Sequence, residues 1–150
     1  MKRLFLCVMV LFTLCGVSYG ATILVPGHYA TIQEAINAAA LYDTIIVAPG
    51  THVYVPINKP LILQGAQAGV DARTGRSVAS ETVITGRMTP AADDITIDGF
   101  RFECGSGGRI LDTYADANNL KILNCIFFST ATAVTKGIIQ LGGGDHVDML

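Results

Sequence analysis

The chain has 150 residues, of which 51% are hydrophobic and 15% charged, with a formal net charge of −2. So small a negative balance leaves no electrostatic footprint for nucleic acid or an anionic membrane. Sixteen glycines in so apolar a chain imply many tight corners rather than disorder.

The first twenty residues read as a secretory signal. Lys2 and Arg3 make a basic start, residues 4–17 (LFLCVMVLFTLCGV) are apolar, and Ser18-Tyr19-Gly20 places small residues where the peptidase reads. Cleavage is expected before Ala21, which leaves a mature domain over 21–150 with no membrane attachment. An uncleaved anchor is the alternative, but the run is short for a ~20-residue span. Export places the protein outside the cell or at its surface, with a periplasm as a further compartment.

Residues 21–25 (ATILV) form a short strand closed by Pro26-Gly27. A helix follows over 31–40 (TIQEAINAAA). Thr31 and Glu34 make a capping box, and Ile32, Ala35, Ile36 and Ala39 form one apolar stripe. A single helix ahead of a run of strands suggests a lid over an open core end. From Asp43 the periodicity becomes strand-like. Residues 44–47 (TIIV) end at Pro49-Gly50, residues 53–55 are extended, and Leu61 and Leu63 alternate before Gly65.

A long-range repeat organises the rest. Residues 95–102 (ITIDGFRF) and 120–127 (LKILNCIF) match at an offset of 25, pairing Ile95 with Leu120, Ile97 with Ile122 and Phe102 with Phe127. Each copy is strand, corner, strand, and a repeat of this length marks stacked units that bury their inner faces on one another. Leu61, Leu63 and Gly65 match Ile95, Ile97 and Gly99 at an offset of 34, so an insertion over 66–81 (AQAGVDARTGRSVASE) lengthens that unit. Val83-Ile84, Ile110-Leu111 and Ile138-Ile139 form a second expected column. Val147 and Met149 repeat Leu120 and Ile122, 27 residues on. Since a solenoid needs a polar cap at each end, the sequence reads as the N-terminal part of a longer domain; a complete 130-residue mature domain is the alternative.

Residues 30–53 followed by INKPLILQGA, together with the repeat I-x-I-x-(G/N)-x-x-F, resemble the start of right-handed parallel β-helix proteins of the pectin-lyase-like superfamily. The segment 65–86 is similar to one found after that start in secreted bacterial members. The resemblance covers residues 22–150. It implies an all-β, right-handed parallel β-helix with three strands per coil and one N-terminal capping helix. It also implies a tie to extracellular polysaccharide, either binding or lyase- or hydrolase-type processing, and allows Ca²⁺. Gly65, Gly99 and Asn124 would stack at a corner that needs left-handed backbone, which Gly and Asn tolerate best.

The search for chemistry yields candidates rather than a constellation. Asp71, Arg73 and Arg76 on the insertion could bind an acidic sugar through forked guanidinium contacts; local pairing that orders the loop is the alternative. Asp93, Asp94 and Asp98 are the densest acidic group and read as solvated turn carboxylates rather than a Ca²⁺ site. Asp112, Asp116, Asn118 and Asn119 are explained by turn chemistry as well as by sugar binding. Asp145-His146-Val147-Asp148 lacks a known lyase or hydrolase pattern, and His28 and His52 are isolated. Arg87, Arg109 and Lys121 read as exposed strand-end charges. Cys104 and Cys125 fall four residues out of register, so no disulfide is expected and both thiols stay free. No catalytic residue is assigned, whether the protein is an enzyme stays open, and no cofactor is evident. A non-catalytic, adhesin-like scaffold is the competing reading, and a degenerate reading frame with no folded product a third.

Overall fold

A computed structural model describes residues 20–73, 76–105, 109–113, 117–129, 139–140 and 147–149. The expected signal over 1–20 therefore lies almost wholly outside the described residues, as do Asp116, Asp145 and His146. Among the described residues no helix is long and apolar enough to cross a membrane.

The strands are β1 (Thr22–Val25), β2 (Thr44–Val47), β3 (Gly50–His52), β4 (Val55–Ile57), β5 (Ile62–Gln64), β6 (Thr82–Ile84), β7 (Met88–Pro90), β8 (Thr96–Asp98), β9 (Phe100–Cys104), β10 (Leu111–Asp112), β11 (Leu120–Leu123), β12 (Ile126–Ser129), β13 (Ile139–Gln140) and β14 (Val147–Met149). Every pairing is parallel. Three sheets result, ordered β1-β2-β5-β8-β11-β14, β3-β6-β9-β12 and β4-β7-β10-β13. From β2 onward the chain visits them strictly in rotation, and each visit pairs with the previous one in the same sheet. One such rotation is called a circuit below.

Parallel stacking buries both the ladder hydrogen bonds and one inward column per sheet. In the first sheet that column is Ile23, Ile45, Leu63, Ile97 and Ile122, all buried. Burial stabilises each such side chain by about 1.5–3 kcal/mol. In the second sheet Phe102 pairs with Ile84 below and Phe127 above. The two Phe rings lie 4.8 Å apart and nearly parallel, at 5°. The expected matches Ile97–Ile122, Leu120–Val147 and Ile122–Met149 are all register partners.

The helix α1 spans Ile32–Ala38 with Thr31 as its N-cap. Thr31 Oγ1 accepts from Glu34 N at 3.2 Å, and Glu34 Oε2 accepts from Thr31 N at 3.1 Å. Ile32, Ala35 and Ile36 are buried, and α1 packs against β1, β2 and β4.

Two expectations need correction. Val83-Ile84 does not share a column with Ile110-Leu111. The strand β6 lies in the second sheet, and the partner of Leu111 is Met88. Gly50 is not a terminator but opens β3, against Thr82.

Candidate functional site

Two left-handed corners recur as the circuits stack. The first joins the first sheet to the second. Gly99 (φ 74°) and Asn124 (φ 48°) are left-handed there. Gly65 is not, contrary to expectation; it is needed for close approach, since a Cβ there would sit 2.5 Å from Gly99 O. The second corner, before the first sheet, holds Tyr42, Asp94 and Asn119 at φ 65°, 55° and 56°. It is absent from the sequence reading.

The inserted chain between β5 and β6 folds back over the first corner. Asp98 is not merely a solvated turn carboxylate: its Oδ1 accepts from Asn124 Nδ2 at 2.8 Å, and both its oxygens accept from Gly69 N at 3.2 Å. Ala66 N donates to Thr82 Oγ1 at 2.8 Å, and Gln67 Nε2 to Ser80 O at 3.0 Å. Arg76 reaches furthest. Its Nη1 donates to Asn124 O at 2.8 Å, Val70 O at 3.2 Å and Gln67 O at 3.4 Å. Its Nε lies 3.1 Å from Glu81 Oε1, with the two side chains 1% and 0% exposed. The approach is out of line for a hydrogen bond, which leaves both Glu81 oxygens without a hydrogen-bond donor.

This folding back encloses a cleft of about 560 Å³ lined by Gly69, Asp71, Ala72, Arg73, Asn124 and Cys125. Asp71 and Arg73 thus come together with the corner, whereas Arg76 lies beneath as a structural tie. Arg73 grips Asp71 in a fork, Nε to Oδ1 at 3.0 Å and Nη2 to Oδ2 at 2.8 Å. That bond pulls the Asp71 carboxyl down to about 2 and raises the Arg73 guanidinium. At the cleft wall, burial pushes the Cys125 thiol up to about 12, so it is no nucleophile near neutrality. Cys104 and Cys125 are not joined in a disulfide.

The other candidates are held in place by the stacking. Asp93 Oδ1 accepts from Asn118 N at 2.8 Å and Asn118 Nδ2 at 3.1 Å. Asp94 Oδ1 accepts from Asn119 Nδ2 at 2.6 Å. Both contacts span the same 25 residues as the repeat, a signal available in the sequence. His52 lines a second cleft, of about 420 Å³, with Gln33, Tyr54 and neighbours, and burial lowers its pKa. Among the described residues no three His, Cys, Asp or Glu side chains gather to hold a metal ion. Comparisons with family models, curated proteins and solved structures found no match for the chain.

Proposed function

We propose that the chain is a secreted right-handed parallel β-helix protein, of the pectin-lyase-like kind, that binds extracellular polysaccharide. The strict rotation among three parallel sheets supports the β-helix part of this reading. The cleft that joins Asp71 and Arg73 to the Asn124 corner carries the binding part. Exposed polar groups on a loop held by a rigid scaffold are the usual carriers of recognition. Binding is favoured over cleavage because the carboxylates around the corner are engaged: Asp71 by Arg73, Asp98 by Gly69 and Asn124, and Glu81 by Arg76.

The test is retention of the exported chain in gels cast with pectin, alginate or a neutral glucan, with and without Ca²⁺, alongside a turnover assay on each. Retention lost in an Asp71→Ala/Arg73→Ala variant is the expected result. A second reading, a stiff display scaffold, draws on those same internal ties, and retention by none of the polymers would leave it standing instead.

A further inference from the structure

Asp43 stands immediately before β2 and is 5% exposed. Its Oδ1 accepts from Ala21 N at 2.6 Å and its Oδ2 from Ala40 N at 2.8 Å. Both donors are main-chain amides, and among the described residues no Lys, Arg or His pairs with the carboxylate. The segments around it, 20–25, 37–42 and 59–64, carry only two other titratable groups, Tyr42 and Lys59. Lys59 Nζ donates instead to Ala39 O at 2.9 Å and Asn37 O at 3.4 Å. The Tyr42 hydroxyl donates to Asp94 Oδ2 at 3.4 Å. A carboxylate has room for about four acceptor contacts, and a buried one gains most from a donor that is itself charged.

Ala21 N is the atom that such a donor would come from. The inference rests on the export reading above, in which the bond cut is Gly20–Ala21. Its hydrolysis by a peptidase of the export machinery consumes one water. The products are a carboxylate on the departing Gly20 and an amine on Ala21, which is an ammonium at neutral pH. The nitrogen that meets Asp43 Oδ1 as an amide therefore becomes the charged end of the chain. The ladder keeps it in place: Thr22 pairs with Thr44, and Thr44 N donates to Ala21 O at 2.9 Å. Neither contact involves Gly20, so neither is lost when it departs.

We infer that Asp43 is the receptor for the processed N-terminus: cleavage before Ala21 delivers an α-ammonium to this buried carboxylate and closes an ion pair. The uncut chain offers Asp43 only a neutral amide at that position. A charge-assisted bond is roughly twice as strong as a neutral one, so the processed chain holds its first strand more firmly. Through Ala40 N the same carboxylate reaches the residues that follow α1. The ion pair thus fastens the start of β1 to the end of the capping helix, and processing is read directly by the fold.

Mass spectrometry of the chain recovered from a secreting host gives its first residue, and the rate of α-amine acylation across pH gives the pKa of that group. A start at Ala21 is expected, with an α-amine that titrates about one unit or more above the ordinary 7.7–8.0. Asp43→Asn should return it to the ordinary range. Because that change also disturbs the contact with Ala40 N, a second variant keeps the carboxylate: one glycine inserted between Gly20 and Ala21. The inserted glycine takes the place of Gly20, where a Cβ would collide with Tyr42 O. It preserves the neutral contact of Ala21 N with Asp43 and moves the ammonium one residue, about 3.8 Å, along the chain. That variant should fold, titrate below the parent, and melt a few degrees below it at pH 7. Failure of secretion, or a start other than Ala21, would remove the export reading and this inference with it. A start at Ala21 with an ordinary amine, or a raised pKa undiminished by the glycine insertion, would overturn the role of Asp43 and leave the export reading standing.

Discussion

Replacing Arg76 by methionine should be the most damaging single change in the inserted loop. The substitution leaves the Glu81 carboxylate buried without its counter-charge and strips a donor from Asn124 O, Val70 O and Gln67 O. Breaking one side of a buried ion pair costs about 3–5 kcal/mol. At about 4 °C per kcal/mol for a domain of this size, the midpoint should fall by roughly 12–20 °C. Replacing both partners, Arg76→Met with Glu81→Leu, removes the stranded charge and should recover most of the loss, to within about 1–2 kcal/mol of the parent. Urea unfolding followed by circular dichroism gives all four corners of the cycle, and a coupling above about 2 kcal/mol is expected. A cost below about 1 kcal/mol for Arg76→Met alone, or a double variant as unstable as the two losses summed, would refute the buried-pair account.

Asn124→Val should destabilise by about 2–4 kcal/mol, from a β-branched residue forced to positive φ together with the lost bond to Asp98. Exposed Lys121→Ala should stay within about 0.5 kcal/mol, and equal midpoints would contradict the corner assignment. Because burial lowers the pKa of His52 below its ordinary 6.5, the unfolded chain binds a proton more readily. Stability should therefore be full above 6.5 and decline as pH falls from there through the folded value. His52→Gln should flatten that slope, as thermal melts across the range would record. The Cys125 thiol, held near 12, should resist alkylation at pH about 8, where an ordinary thiol with pKa ≈ 8.5 reacts readily. Unfolding in urea should release it, and rapid labelling of native Cys125, mapped by mass spectrometry, would contradict the raised pKa.

The circuit spacing was legible because like residues recur at one offset: Ile97 predicts Ile122, and Phe102 predicts Phe127. The capping box was legible because its chemistry is local, confined to Thr31 and Glu34. The second column was misassigned for a physical reason. In β6 all three residues, Thr82, Val83 and Ile84, are buried, so the strand shows no alternation that would fix its face. The strand β7 ends in Pro90 and has no counterpart in the sequence reading, although Met88 lies fully inside. At the sites, Asp71 and Arg73 could be picked out as loop residues. The tie through Arg76 to Asn124 O spans 48 residues and follows no repeat. The contact of Arg87 with Asp112 does span the 25 residues of the repeat, and Arg109 lies three residues before Asp112, so that grouping was within reach of the sequence.

The inserted loop has a mechanical consequence. Elsewhere each circuit touches chiefly the one above and the one below, so a chain pulled from its end would peel away in even steps. Across β5 to β12 the Asp98 and Arg76 ties bind three successive circuits to one another. Under tension that stretch should yield as a single block, with one tall rupture where a plain stack of rungs would give several small ones.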